Sequence, residues 1–371
     1  MLKLSDFWRK HKRKVLVGAG LIGSGYVLYK LYNAHRQRLD DLERELASER
    51  RKVDELVKDQ MQAHFENIQR IADTTTLPHA MQYLSNRIEE ELDLSHLTDR
   101  LMKGKGQPNT LMSSEKHELW DRLKILSFTR MVLSLWTMTI LSLYIRVQVN
   151  ILGRHLYIDT ARHLLLPDDG DLIDRDDQQR FLASADFLST YALPALISNM
   201  QAAVTEVLKG KQLRDFINTT VLHETIIQIL NTFMSIRSPH LWVGYLMPED
   251  ARLHELATAS SSDDKGLSDV TKFDQLMVET RAVISSAKFV NVAEIALKAV
   301  VNTLVKEIGI QCGGDTLANG MPLARLLARV THVGPILLVE PSKNQFIQTI
   351  RNEKEVEMLI TLIYTDANVM D

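Results

Sequence analysis

Residues 131–145, MVLSLWTMTILSLYI, contain no charged side chain and lie between Arg130 and Arg146. The stretch is shorter than the roughly 20 residues that a membrane-spanning helix needs. Its hydroxyl side chains belong to Ser134, Thr137, Thr139 and Ser142. Because a helix that is apolar on all sides belongs in the interior of a bundle, the stretch predicts a central core helix. A second membrane span is the alternative.

The helix that contains this stretch is predicted to begin near Ser113 and Ser114, since Ser-Ser-Glu-Lys is typical of a helix start. No Gly or Pro follows until Gly153. Upstream, no Gly or Pro occurs from Tyr26 to Leu77, which again indicates helix. The apolar residues of that region fall mostly three, four or seven apart, at Leu39, Leu42, Leu46, Val53, Leu56, Met61, Phe65, Ile68 and Ala72. They predict one amphipathic face that packs on its own domain; a coiled coil is the alternative, although Glu49 and Gln60 interrupt its seam.

Breaks are predicted at Pro78, at 104–109, at 313–322 and at 334–341, where Gly and Pro cluster. Further helices are expected at about 177–208, 212–236, 268–308 and 342–365. Residues 167–177, PDDGDLIDRDD, are predicted to be a solvated acidic loop, because they lack the register of an EF-hand calcium site.

The composition agrees with a mostly helical chain. Of 371 residues 45% are apolar, which is enough to bury a core, and 16 Gly and 9 Pro leave room for few turns. A net charge of -3, from 44 basic and 47 acidic residues, argues against a general nucleic-acid binder. A single cysteine, Cys312, excludes intramolecular disulfides and CxxC sites. The mean hydropathy of -0.11 excludes a polytopic membrane protein but allows one span.

One membrane span is predicted near the amino end. A basic block, residues 9–14, precedes Val15 to Tyr29, where no residue is charged, and the apolar run extends to Tyr32. About 18 residues of helix cover roughly 27 Å, so an uncleaved anchor is favoured. A cleaved secretory signal lacks a small-residue cleavage site, and a mitochondrial presequence would be amphipathic. The GxGxxG at 18–23 lacks the following strand of a dinucleotide-binding fold.

No catalytic or metal-binding motif stands out. His223-Glu224 lacks the second histidine of HExxH, and GxSxG, P-loop and kinase motifs do not occur. Cys312 is interpreted as a small buried apolar residue, since no base can be assigned to it. We therefore expect a scaffold or receptor without a cofactor or metal, and not an enzyme. An anchored enzyme that uses Cys312 is the least favoured hypothesis.

One feature suggests a binding surface. Leu119, Trp120 and Leu123 are adjacent on one face of the helix that starts near Ser114, with Lys116 and Lys124 beside them. Tryptophan is enriched among binding hot spots, and an amphipathic partner helix would place its aromatic residues on Trp120 and its acids on the lysines. The alternative is that Trp120 is an ordinary core residue.

The chain resembles the peroxin-3 family, as a plant-like or otherwise divergent member. The most specific stretch is LWDRLKILSFTR at 119–130, followed by RVQVNILG at 146–153 and LYID at 156–159; YLMPE at 245–249 is similar to another segment of the family. The resemblance implies an all-α fold, an elongated bundle of long helices on a single amino-terminal anchor. The implied domains are a basic targeting segment at 1–14, a transmembrane helix at 15–32 and a cytosolic receptor domain at 33–371.

The resemblance also implies a partner, the amino-terminal amphipathic helix of peroxin-19, which delivers newly made membrane proteins to the peroxisome. The implied docking residues are Trp120, Leu123, Lys124, Leu119, Lys116, Leu156, Met102 and Lys103. The implied targeting residues are Arg9, Lys10, Lys12, Arg13 and Lys14. The receptor domain is expected to be monomeric, to contact peroxisomal membrane lipid only through its anchor and to bind no nucleic acid.

Two points depart from these expectations. Arg154-His155 stands where relatives often carry a second glycine, so the groove rim is expected to differ there. The positive-inside rule would place the basic amino end in the cytosol, whereas the family places it in the peroxisomal lumen; we follow the family, because the rule describes translocon-inserted loops. An organelle tether or inheritance scaffold is the alternative function.

Overall fold

The computed structural model describes residues 36, 43–52, 55–56, 58–106, 113–165, 173–235, 242–248, 271–313 and 315–365. The chain forms two compact units, Met1–His64 and Phe65–Asp371. The described residues of the first unit are helical. The predicted targeting segment and transmembrane helix lie outside the described residues.

The second unit is helical over most of its described part, which confirms the all-α class. Its helices are α1 (Leu77–Glu91), α2 (Ser95–Gly106), α3 (Ser113–Leu165), α4 (Arg175–Ala183), α5 (Leu193–Leu208), α6 (Thr219–Ser235), α7 (Lys272–Ser285), α8 (Ala287–Gln311), α9 (Asp315–Ala318), α10 (Leu323–Leu337), α11 (Gln345–Asn352) and α12 (Lys354–Thr365). Two short strands, β1 (Phe216–Ile217) and β2 (Met321–Pro322), pair antiparallel with Phe216 opposite Pro322. Single turns of 3₁₀-helix occupy Ser184–Asp186, Trp242–Tyr245 and Pro341–Lys343.

Helix α3 is the centre of the second unit. It begins at Ser113, as predicted, and packs against α1, α2, α4 to α8 and α10 to α12. Residues 131–145 are buried without exception, so the core-helix prediction is confirmed. By length and composition alone, the stretches Ser114–Thr160 and Arg175–Leu208 would both be long and apolar enough to cross a membrane, but the apolar window of the first is fully buried in the protein.

The helix does not end at Gly153 but continues for twelve more residues. A Cβ atom at Gly153 would lie 2.6 Å from Cδ1 of Ile68, so the glycine lets the helical segment at 65–71 approach α3 closely. Ile68 and Ala72 are buried, as the amphipathic face predicts. Leu46 and Leu56, in the first unit, are 55% and 59% exposed, so the prediction is wrong for those two residues.

Proline does not break the helices where a break is predicted. A π-helical turn, Ala72–Thr76, leads directly into α1, whose second residue is Pro78. A second π-turn, Leu188–Ala192, precedes Pro194 in the same way. A proline ring clashes with the carbonyl group four residues earlier in an α-helix, and the wider turn accommodates it. Likewise, the predicted break at 334–341 starts only after Leu337, since Gly334 and Pro335 lie inside α10.

Other predicted helices are shorter or divided. The helix expected from 212 begins at Thr219, because residues 216–217 pair with β2 and Asn218 caps α6 by accepting a hydrogen bond from the Val221 N–H. The helices expected at 268–308 are two, α7 and α8, which meet at Ser286; this residue has extended backbone angles and caps α8. The helix expected at 342–365 is divided at Glu353.

The segment at 242–248 is held by an aromatic cluster. The Trp136 ring lies edge-on to Phe233 and Tyr245, with centroids 5.3 and 6.2 Å apart. The Tyr245 hydroxyl accepts a hydrogen bond from the Asn199 side chain at 2.6 Å. Leu246 and Met247 are buried. The YLMP sequence is therefore a structural element that packs on the central helix.

Candidate docking site

The start of α3 forms a hairpin with α2. The Arg100 guanidinium pairs with the Glu115 carboxylate at 2.7 Å across the hairpin. Leu119 and Leu123, one turn apart, are 6% and 5% exposed and belong to the hydrophobic core. These two leucines fix the rotation of the first turns of α3 and so determine which of its side chains face solvent.

Trp120 is half-buried and packs against the core from its edge. Lys116, one turn earlier on the same face, is exposed. The indole is thus neither an interior side chain nor a free one: part of the ring is fixed by the core and part is open to a partner. This is the arrangement expected of an anchor residue in a docking surface.

Lys124 is in a different position from the one expected. Its side chain is 7% exposed, and its Nζ donates a hydrogen bond to the backbone oxygen of Lys211 at 2.7 Å and pairs with the Asp121 carboxylate at 3.0 Å. Burying an ammonium group is costly unless its hydrogen bonds are made. The charge of Lys124 is therefore already engaged within the protein.

Leu156 does not lie beside Trp120. The two residues are 36 positions apart in one continuous helix, so about 54 Å separates them along the helix axis. Leu156 is half-buried near the other end of α3. Leu156 could join the Trp120 groove only if the chain turned back after the central helix. The helix continues through Gly153, so Leu156 does not line this groove.

The chain enters the second unit at the Leu156 end. The rings of Phe65 and Tyr364 lie 5.2 Å apart, and α12 packs along α3. Burial, together with a smaller effect of the nearby Tyr157, raises the pKa of Tyr364 to about 12. Leu156 therefore belongs to the end of the unit where its chain begins, and Trp120 to the opposite end.

The unexpected Arg154-His155 pair forms an ionic cluster with α7. The Arg154 guanidinium pairs with one oxygen of Glu279, and His155 Nε2 lies 2.8 Å from the other. A second Arg154 nitrogen donates to the backbone oxygen of Ile363 at 2.8 Å. Burial by itself would raise the pKa of Glu279, but the hydrogen bonds from His155 and Arg154 outweigh burial and hold this pKa below its usual range. The pair thus joins α3, α7 and α12 far from Trp120.

Three groups of expected residues lie wholly or partly outside the described side chains. Met102 and Lys103 belong to α2 by their backbone, but their side chains are outside the described part. The targeting residues at 9–14 are also outside it, and the acidic loop is outside it except for 173–177. Asp174 of that loop caps α4 by accepting a hydrogen bond from the Asp177 N–H.

Sequence reasoning missed the segment that covers Lys124. Residues 209–217 lie between α5 and α6 and bring the backbone oxygen of Lys211 to Nζ of Lys124. The sequence does mark this segment by a local excess of positive charge. Lys209, Lys211 and Arg214 lie within six residues that contain no acid.

Among the described residues, no group of three or more His, Cys, Asp or Glu side chains is placed to hold a metal ion. Burial raises the pKa of the Cys312 thiol, although Arg329 and Arg325 lower it in part. A raised pKa reduces the thiolate fraction that a nucleophile needs. Cys312 packs against the core as a partly buried apolar residue.

The sequence matches known proteins over most of its length. The family model described as Peroxin-3 matches residues 105–366. The chain belongs to the peroxin-3 family. It is 59% identical over 366 residues to Peroxisome biogenesis protein 3-2 of Arabidopsis thaliana, covering 97% of this chain and 98% of that protein. The plant-like resemblance is confirmed.

More distant peroxin-3 relatives match a shorter part of the chain. Peroxisomal biogenesis factor 3 of Homo sapiens is 27% identical over 304 residues, covering 79% of this chain and 74% of that protein. Peroxisomal membrane protein PEX3 of Komagataella phaffii is 25% identical over 206 residues, covering 47% and 43%. Family and relatives together support a role in peroxisome biogenesis, for which the Arabidopsis and human proteins are named.

Proposed function

We propose that this peroxin-3 chain is a docking receptor of the peroxisomal membrane that binds the amino-terminal amphipathic helix of peroxin-19. It would thereby act in peroxisome membrane assembly and membrane-protein import. The observation that carries the proposal is the half-buried Trp120, held on a helical turn by the buried Leu119 and Leu123.

The physical reason lies in the cost of ordering a binding surface. A side chain that the core already holds loses little conformational freedom when a partner binds, so more of the contact energy appears as affinity. An apolar face of a partner helix would cover the open part of the Trp120 ring, and the exposed Lys116 would meet an acid on the rim. The binding residues we propose are Trp120 and Lys116 on the surface, with Leu119 and Leu123 supporting them from below.

Substitution Trp120→Ala tests this proposal. We expect binding of a peroxin-19 amino-terminal peptide to weaken by about 2 kcal/mol or more, measured by titration calorimetry with the full chain in detergent. Tyr191→Ala is the control, since Tyr191 is 73% exposed on a different helix. Unchanged affinity in a folded Trp120→Ala variant would reject the site.

For the membrane topology we propose one anchor at 15–32, a basic amino end in the peroxisomal lumen that serves as the targeting signal, and the carboxy-terminal domain in the cytosol. The anchor in this proposal rests on the uncharged run of residues 15–29 after the basic block. The orientation rests on the family resemblance and is opposite to the one that the positive-inside rule predicts. An amino-terminal tag should be protected from protease in intact organelles, while a carboxy-terminal tag should be digested. Digestion of both tags would overturn this topology.

The alternative function, a tether or inheritance scaffold, is favoured by one surface. Residues 187–205 contain no charged side chain, yet only 39% of the apolar window in Arg175–Leu208 is buried. If this face recruits adaptor proteins, their binding should persist in Trp120→Ala and be lost in Tyr191→Ala. Adaptor binding that is lost in Trp120→Ala and persists in Tyr191→Ala would reject the tether function and leave the receptor function as the sole proposal.

A further inference from the structure

The segment at 209–217 is fixed against the start of α10 by backbone hydrogen bonds and against α3 by the Lys124 side chain. The N–H of Leu323 donates to the backbone oxygen of Asp215 at 2.9 Å, and the N–H of Ala324 donates to that of Leu213 at 2.8 Å. Residues 216 and 217 pair with β2. The segment therefore has a defined position beside the turn of α3 that carries Trp120 and Lys124.

Lys124 is the contact between this segment and α3. Lys124 follows Trp120 by four residues, so their side chains lie on the same face of α3. Its buried ammonium donates to the backbone oxygen of Lys211 at 2.7 Å. A bond to the backbone, and not to a side chain, fixes the path of the segment whatever side chain position 211 carries. Lys124 thus acts on this surface indirectly, by holding the backbone of Lys211.

The segment presents unpaired positive charge. Lys209 and Arg214 are exposed and Lys211 is half-buried, and none of the three forms an ion pair or another polar side-chain contact within the part of the chain that the structure describes. The one acid of the segment, Asp215, accepts a hydrogen bond from the Gln212 N–H at 2.7 Å. Helix α10, which begins beside the segment, contains Arg325 and Arg329 and no acid. Although the exposed Asp121 lies on the neighbouring turn of α3, the charge of this segment and of α10 favours an occupant that carries acids.

An exposed aromatic ring ends the segment. Phe216 is 72% exposed, although it belongs to β1 and has its backbone fixed by β2. A large apolar side chain on a fixed backbone beside basic residues matches the composition of a docking surface, where aromatic anchors are surrounded by a polar rim.

We propose that residues 209–216 form a second wall of the Trp120 site, which contacts the acidic and apolar side chains of the bound amphipathic helix, and that Lys124 is the positioning residue of this wall. This inference rests on the proposed function and deepens it. It assigns the direct contacts with the partner to Lys209, Arg214 and Phe216. Lys124 keeps them in place through the backbone of Lys211.

The contacts of the wall are tested with the full chain and a peroxin-19 amino-terminal peptide. The double substitution Lys209→Ala/Arg214→Ala should weaken binding about tenfold in low salt and reduce its salt dependence. Phe216→Ala should weaken it about fivefold or more at any salt concentration. Lys298→Ala and Met358→Ala, at exposed positions of α8 and α12, are the matched controls and should leave affinity unchanged.

The positioning role is tested by a double-mutant cycle. Lys124→Met keeps an apolar stem of similar length and removes the ammonium donor. We expect it to weaken binding about fivefold in the wild-type background and to have almost no further effect when Lys209, Arg214 and Phe216 are already alanine, because coupled residues are not additive. In the free protein, hydrogen exchange of the amides at 211–217 should be faster in Lys124→Met. Equal losses in both backgrounds would overturn the positioning role.

The outcomes separate this inference from the proposed function. Loss of binding in Trp120→Ala together with unchanged binding in the wall variants would reject the wall and leave the proposed function standing. Unchanged binding in Trp120→Ala would reject the proposed function itself. Weaker binding in Trp120→Ala, in the wall variants and in Lys124→Met, with the non-additivity described, is the result we expect.

Discussion

Two helical glycines have opposite surroundings. A Cβ at Gly153 would lie 2.6 and 2.9 Å from Cδ1 and Cγ1 of Ile68, whereas a Cβ at Gly309 would meet no atom within 4 Å. Gly153→Ala should lower the free energy of unfolding by about 1 kcal/mol, since the cost of overpacking exceeds the gain in helix propensity. Gly309→Ala should raise it by about 0.5–1 kcal/mol.

Urea unfolding of both variants checks this pair of predictions. The combination Gly153→Ala/Ile68→Ala should be less destabilised than the sum of its single substitutions, because the smaller side chain removes the clash. A stabilised Gly153→Ala variant would show that the contact with Ile68 does not need the glycine.

The carboxylate of Glu279 is predicted to make stability depend on acid pH. Its pKa is lower in the folded chain than its usual value of 4.5, so the carboxylate stabilises the folded state above that pH, and this contribution is lost as the pH falls through the folded-state pKa. Glu279→Gln should therefore lower the urea midpoint at pH 7, and its difference from wild type should shrink as the pH falls below 4.5.

The exposed Glu340, which pairs with Lys343 at 3.6 Å, provides the control for this prediction. Glu340→Gln should change the urea midpoint little across this pH range, because exposed pairs contribute little. A constant difference between Glu279→Gln and wild type from pH 7 to pH 3 would contradict the assignment.

The buried hydroxyl groups of α3 are of two kinds: some have a hydrogen-bond partner and some have none within the described residues. Thr137 and Thr139 donate to the backbone oxygens of Leu133 and Leu135, four residues earlier. The buried Ser142 hydroxyl has no hydrogen-bond partner within the described residues. Ser142→Ala should raise the free energy of unfolding by about 1 kcal/mol, since a buried polar group without a partner is costly.

Thr139→Val is the matched change for Ser142→Ala. It removes a hydroxyl that has a partner and should lower the free energy of unfolding by about 1 kcal/mol. Thermal unfolding of the two variants should shift in opposite directions. A downward shift for Ser142→Ala would mean that its hydroxyl has a partner.

The sequence predicts the central helix well because the uncharged run from Met131 to Ile145 leaves few alternatives. Helix ends are less predictable, since they depend on contacts made far along the chain. Gly153 continues its helix because Ile68 packs on it, and Phe216 leaves the helical pattern because it pairs with Pro322. Local propensity carries no information about either contact.

The same reasoning explains which docking residues could be found. Trp120 and its leucines follow from helical spacing alone. The engaged ammonium of Lys124 does not, because its hydrogen-bond partner, the backbone oxygen of Lys211, lies 87 residues away. Leu156 is assigned to the groove by resemblance. The structure places it far from Trp120, because α3 runs without interruption between the two residues.

A buried ionic network joins three distant parts of the chain. The Asp73 carboxylate pairs with Arg146 of α3 at 2.5 Å and with Arg351 of α11 at 3.4 Å. Arg146 is buried and also donates to the Gln69 side chain at 3.1 Å. Asp73→Ala should lower the free energy of unfolding by about 3 kcal/mol, because it leaves a buried guanidinium without its counter-charge.

Arg351→Ala is the control for this network. The Arg351 side chain is 64% exposed, so its loss should cost less than about 1 kcal/mol. Urea unfolding of both variants measures the difference. Equal effects would mean that the pair with Arg146 contributes no more than the exposed pair.

The uninterrupted α3 also sets a length requirement on anything that binds at its start. From Trp120 to Leu156 the helix covers about 54 Å, and an extended polypeptide covers at most about 3.6 Å per residue. A helix docked beside Trp120 whose chain continues towards the Leu156 end must therefore supply at least about 15 residues of linker before any following segment reaches that end. A shorter linker would keep a partner's second segment at the Trp120 end of the receptor.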